Sequence, residues 1–175
     1  RRIKNSMSQP RRSRLLWLAL AFAALIVFLD QLVKDILIAH LTPGHSTPFL
    51  GYFVKLYLTY NDSAAFSMGF GQTWFFALLS TFASLALLWY LPKLKTASWL
   101  IMGGIALGGI VGNLVDRLIR EPGFGVGHVV DYIQIPFNFP IFNLADSAIV
   151  SIAILTVIRI LLGHKIGEPN PKKTK

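Results

Sequence analysis

With 175 residues, 54% of them hydrophobic, and eight acids against 17 lysines and arginines, the chain lacks the mixed surface of a soluble domain and reads as an integral membrane protein. Its net charge of +9 gathers in tails and one short loop rather than among aromatic residues on a polar domain, which argues against a nucleic-acid partner. Having no cysteine, it has no disulfide, thiolate nucleophile or Cys-type zinc site.

In chain order, Arg1 to Ser6 precede Met7, a natural start, and are set aside; residues 1–14 form a basic tail. Arg11-Arg12-Ser13-Arg14 followed by Leu15 to Leu29 resembles a signal peptide. No small-x-small cleavage site follows, however, and further spans come after it, so this segment is read as a retained helix. Four apolar segments, Leu15 to Ile38, Thr73 to Leu91, Ser98 to Ile119 and Phe142 to Leu162, each approach the ~20 residues needed to cross a bilayer as helix. They make residues 15–162 a four-helix membrane domain with outer loops 39–72 and 120–141, followed by a basic tail over 163–175. Tyr52 to Tyr60 and Val129 to Ile135 carry the aromatic and β-branched residues of strands, and predict a small sheet on the bilayer surface. Gly123, Gly125 and Gly127 read as turn residues, without the strand and helix context of a phosphate-binding loop.

Lysine and arginine set the orientation. Thirteen fall in the N-terminal tail, the loop of Lys93 and Lys95 and the stretch from Arg159 to Lys175, whereas Lys34, Lys55, Arg117 and Arg120 fall on the other side, so both termini are expected in the cytoplasm. The acids gather oppositely: Asp30, Asp35, Asp62, Asp116, Glu121, Asp131 and Asp146 all lie at the outer side.

Two of these acids end a repeated pattern, Asn113-Leu114-Val115-Asp116 and Asn143-Leu144-Ala145-Asp146, each fused to an apolar segment where an ionisable side chain is costly. Asp116 lies seventeen residues beyond Trp99, roughly 25 Å along the third helix at 1.5 Å per residue, and Asp146 opens the antiparallel fourth helix at a similar depth. Two carboxyls in a partly dry site resist simultaneous ionisation, so one holds a proton while the other acts as base, as in an aspartic protease. Spacing alone leaves other readings open. The acids would also suit a proton or cation path, or a structural role with Asp146 at a helix N-terminus and Asp116 paired to Arg117 or Arg120. Asp30 and Lys34 have the i,i+4 spacing of a helical ion pair, and Asn61 precedes the small-residue stretch Ala64-Ala65-Phe66. His40, His45, His128 and His164 have no ligand spacing, so no metal is expected.

Taken in order, Asp30-Gln31-x-x-Lys34, Asn61-x-x-Ala64-Ala65-Phe66-Ser67, Gly112-Asn113-Leu114-x-Asp116-Arg117, Val129-Val130-Asp131-Tyr132-Ile133 and Phe139-Pro140-x-Phe142-Asn143-Leu144-Ala145-Asp146 closely resemble the bacterial lipoprotein signal peptidases, or signal peptidase II. The resemblance runs from about residue 15 to 162. It implies an all-α inner-membrane protein of four helices with a small β element covering its site. The implied activity is that of an aspartic endopeptidase cutting prolipoproteins just before their diacylglyceryl-modified cysteine. By the same resemblance Asp116 and Asp146 are the catalytic pair, supported by Asp30, Lys34, Asn61, Asn113, Arg117, Asp131 and Asn143. Implied partners are lipidated prolipoproteins, membrane lipids and globomycin-type inhibitors, with no cofactor and a monomeric enzyme. Tyr52, Phe53, Tyr57 and Phe66 are candidates for a lid. One position departs from the family: Ser63 stands where glycine is common, and a positive φ there would cost serine about 1 kcal/mol.

Overall fold

The computed structural model describes residues 9–62 and 73–169, with side chains from residue 12. Its order is helix α1 (Gln9–His40), strands β1 (Ser46–Phe49) and β2 (Gly51–Asn61), helices α2 (Thr73–Tyr90) and α3 (Ala97–Ile119), strand β3 (Val129–Gln134) and helix α4 (Leu144–Leu161). All four helices are long and apolar enough to span a membrane. Much of their outward surface is bare hydrocarbon, including Trp17, Phe28, Phe82 and Leu161, as lipid-facing helices require. The expected segments match the helices closely. α1 begins earlier because Arg12 and Arg14, both good helix formers, prolong it past its apolar stretch. α2 gives way to a 3₁₀ turn over Leu91–Lys93, where Pro92 has no N–H to continue the ladder.

α3 is the hub, packed on α1, α4 and α2. It approaches α1 through a row of glycines spaced four apart, Gly104, Gly108 and Gly112, a small-residue interface of the kind that lets membrane helices touch backbone to backbone. A Cβ at Gly104 would stand 2.2 Å from the Ala19 carbonyl oxygen, and one at Gly108 would stand 2.7 Å from that of Ala23. Because the obstacle is main chain, Gly104→Val must push α1 off α3. We expect it to lower stability by about 1–3 kcal/mol, read as a lowered thermal unfolding midpoint in detergent. At one end of the bundle Leu91, Leu94, Trp99 and Leu100 pack with Ala19 and Ala23, and Arg159 stacks 4.3 Å over the Trp99 ring.

At the other end lies an antiparallel sheet in the order β1-β2-β3. The strands expected near 52–60 and 129–135 are β2 and β3. β1 escaped the sequence reading because it is a short, fully exposed edge strand containing Pro48, without an alternating pattern. The register sets Thr59 opposite Asp131 and Asn61 opposite Val129, so Asn61 and Asp131 are diagonal neighbours on one face.

Candidate active site

β3 is buried along its first four residues, on both faces, and carries an acid in the middle. An aspartate in that position must have polar partners. Asp131 has two: Asn61 Nδ2 donates to Oδ2 at 2.8 Å and Asn143 Nδ2 to Oδ1 at 2.7 Å. Burial, first, and the nearby Asp146 charge, second, push the Asp131 carboxyl up to about 7, against the opposing pull of the two amides and Lys34.

Asp146 owes its position to the start of α4. Asn143 is the N-cap, its Oδ1 accepting the Asp146 N–H at 2.9 Å, while Asp146 Oδ2 accepts the Asn143 N–H at 3.1 Å, a reciprocal capping box. The other oxygen, Oδ1, accepts Asn113 Nδ2 at 2.7 Å. Asn113 Oδ1 in turn accepts Asn143 Nδ2 at 3.0 Å, so two asparagines from different helices tie Asp131 to Asp146. The amides of the two repeats therefore do not serve the same role. Asn143 caps its own aspartate, whereas Asn113 reaches across to the aspartate of the other repeat.

Asp131, Asp146, Asn61, Asn113 and Arg117 all line one cavity of about 890 Å³. Phe76, Leu79, Ser80 and Ala83 of α2 form one wall, Ile149 and Val150 of α4 the other, and Ile110 of α3 lies between them. Arg117 is buried, with its guanidinium 5.3 Å from the Phe76 ring. The aromatic wall is Phe76, Tyr60, Phe139 and Phe142, the last two meeting edge to face at 5.8 Å. The expected lid residues lie elsewhere: Tyr52 and Phe53 stand exposed at the hairpin tip, Tyr57 does not line the cavity, and Phe66, like Ser63 and Ala64-Ala65, is outside the described residues.

Asp116, expected beside Asp146, stands apart from the cavity that Asp146 lines. It lies at the expected depth, but it is fully buried, is not part of the cavity wall and has its oxygens fully engaged. Lys34 Nζ stands 2.7 Å from Oδ2 and Arg120 Nε 2.7 Å from Oδ1; Gln31 Nε2 and the Val130 N–H add bonds of 2.9 and 3.1 Å. The reason is angular. At about 100° per residue, Asn113 and Arg117 share the α3 stripe that faces the cavity, while Gly112, Asp116 and Arg120 continue the glycine row that faces α1. Equal depth did not mean a shared face.

Asp30 and Lys34 form their expected pair, 2.7 Å apart and fully buried. Lys34 also donates to Asn113 Oδ1 at 3.2 Å, and Asp30 Oδ1 accepts the Ala145 N–H at 3.1 Å. They thus stand behind the site, holding Asn113 and the start of α4. Gln31, named in the sequence only as part of a motif, and Arg120, expected there as one of two possible partners of Asp116 and found paired with it, complete this foundation, Arg120 also reaching Asp35 at 2.9 Å. The i,i+4 spacing of Asp116 and Arg120 was the signal for their pair, whereas Gln31 reaches Asp116 and the Gly112 carbonyl across helices and had no such signal.

Among known proteins, the model of the signal peptidase (SPase) II family matches residues 22–162. The chain is 48% identical over 132 residues to a lipoprotein signal peptidase of Leifsonia xyli, spanning 75% of this chain and 61% of that one. It is 40% identical over 164 residues to the lipoprotein signal peptidase of Mycobacterium avium, 94% of this chain and 88% of that one. A solved bacterial membrane enzyme superposes with a TM-score of 0.75 at 26% identity, over 89% of this chain and 94% of that structure.

Proposed function

The chain belongs to the signal peptidase II family, multi-pass membrane peptidases of the aspartic class that remove signal peptides from prolipoproteins, and from that premise we propose that Asp131 and Asp146 are its two catalytic acids. The observation that carries this reading is that these two carboxyls line one cavity and are tied together by Asn113 and Asn143.

In this mechanism Asp131 holds the proton and Asp146 is the base. A water between them loses a proton to Asp146 as its oxygen bonds the scissile carbonyl carbon, and Asp131 protonates the carbonyl oxygen. The tetrahedral intermediate then re-forms its carbonyl, returning a proton to Asp131. The C–N bond breaks, and the proton on Asp146 passes to the leaving amine. Arg117, within the same cavity, offsets the second negative charge when both acids are ionised. Asn61, Asn113 and Asn143 fix the carboxyl planes, while Asp30, Lys34 and Asp116 hold the helices that carry them.

The substrate is a prolipoprotein cut just before its diacylglyceryl-modified cysteine. Its signal helix enters between α2 and α4, whose apolar side chains flank the cavity, while the acyl chains stay in the bilayer. The excess of lysine and arginine in the tails and the Lys93–Lys95 loop supports cytoplasmic termini and an outward-facing site in the bacterial inner membrane. Globomycin-type peptides would compete for the same cavity. A gel-mobility assay of the purified enzyme with diacylglyceryl-modified and unmodified prolipoprotein tests the reading. Cleavage of the modified precursor is expected, and equal cleavage of the unmodified one would overturn lipid recognition.

The mechanism also fixes the sign of one pH effect. The rate falls as pH rises through about 7, because Asp131 then loses the proton it must donate. Asn61 donates to Asp131 and favours its ionised form, so Asn61→Ala raises that carboxyl further and moves the alkaline limb of kcat to higher pH. A limb that stays in place or moves to lower pH would remove Asp131 from the proton-donor role.

A further inference from the structure

The start of α4 leaves three helix N–H groups with no intrahelical partner, and each finds a side-chain oxygen. The Asp146 N–H goes to Asn143, the Ala145 N–H to Asp30 of α1, and the Leu144 N–H to the Tyr132 phenolic oxygen at 3.1 Å. Tyr132 follows Asp131 in β3. Alternation along the strand therefore turns Asp131 toward the cavity while Tyr132, buried on the other face, reaches the helix that begins with Asp146. The backbone reinforces this contact, the Tyr132 and Ile133 N–H groups both donating to the Phe142 carbonyl at 3.1 and 2.7 Å. A phenylalanine would fill the same space without taking the Leu144 N–H. The hydroxyl is thus the part of this side chain that hydrogen-bonds the strand carrying one acid to the helix carrying the other.

We propose that Tyr132 is a positioning residue for cleavage, its hydroxyl locking the first turn of α4 to β3 and so fixing the separation of Asp131 and Asp146. The inference rests on the assignment of those two acids as the catalytic pair. Without the lock, the first turn of α4 shifts against β3 and the acids no longer hold one water between them. An Asp146 charge moved away from Asp131 also raises the Asp131 carboxyl less, so the alkaline limb of the pH profile moves to lower pH.

The experiment uses the full-length enzyme and compares Tyr132→Phe with Leu144→Pro, which deletes the donor instead of the acceptor. Leu144 is the first residue of α4, where proline is tolerated, and Asn143 before it is already extended, at φ −129° and ψ −175°. Each variant is expected to lower kcat roughly 10-fold, with KM within about twofold of the parent and the alkaline limb at lower pH, and the double variant to lose no more than either single one. A Tyr132→Phe enzyme with parental kcat and pH limits, or one that loses only folded protein and not kcat per folded molecule, would overturn the inference. Should Tyr132→Phe not fold, the Leu144→Pro profile decides in the same way. Asp131→Asn and Asp146→Asn run alongside: if either still cleaves at the parental rate, the assignment of the pair fails. If both are inactive while Tyr132→Phe is unaffected, only the positioning role does.

Discussion

Asp131→Asn and Asp146→Asn each reduce cleavage of a lipidated prolipoprotein by about 10³-fold or more while leaving a folded protein, because each removes a proton-transfer group and keeps a side chain of nearly the same shape. An amide at 131 keeps an oxygen for Asn143 and sets its N–H₂ against Asn61, which must turn its own oxygen to meet it, yet it has no acidic proton to give the carbonyl oxygen. An amide at 146 still caps α4 through its carbonyl oxygen, but cannot take the proton from water. Asp116→Asn is the informative contrast. Its carboxylate is shared between Lys34 and Arg120, so its loss shows in the unfolding midpoint, and the fraction that remains folded keeps turning over. Measuring kcat per folded molecule for all three variants separates the two outcomes. Inactivity of folded Asp116→Asn with activity in Asp131→Asn would restore Asp116 as the catalytic partner of Asp146.

Lys34→Met is expected to be the most damaging change to stability. Lys34 is fully buried and sits 2.7 Å from both Asp30 and Asp116. Methionine matches its length but leaves two carboxylates facing each other without the cation, and breaking a buried ion cluster from one side costs about 3–5 kcal/mol. Arg120 offsets only the Asp116 side. The loss would appear as a large fall in the thermal unfolding midpoint in detergent. A variant with the parental midpoint would mean that the cluster contributes nothing net to folding.

The long periodic features of the fold were legible from the residues. Four apolar segments predicted four helices, and the i,i+4 spacing of Asp30 and Lys34 predicted their ion pair. Depth along the helices was also legible, and it placed Asp116 and Asp146 at one level. Rotation about the helix axis was harder to read: which stripe of α3 faces α1 is set by Gly104, Gly108 and Gly112, a row that continues to Asp116 and carries it away from the cavity. The burial of Asp131 was not legible, because a single acid in a short loop strand resembles an ordinary solvent-facing residue. Its signal lay in its neighbours, Val129, Val130, Tyr132 and Ile133, which leave no solvent face for it. Long-range polar pairings such as Tyr132 with Leu144, or Asn113 with Asp146, depend on how separate elements meet and leave no periodic trace in the sequence.

The start of α4 has a bearing on how the enzyme is made. Its anchoring groups come from α1, β3 and its own cap, while Asp146 is contributed by α4, the fourth of the described helices in chain order. On the proposed pairing, Asp131 faces no second acid until α4 has docked against α1 and β3, so cutting requires all three elements to be in place.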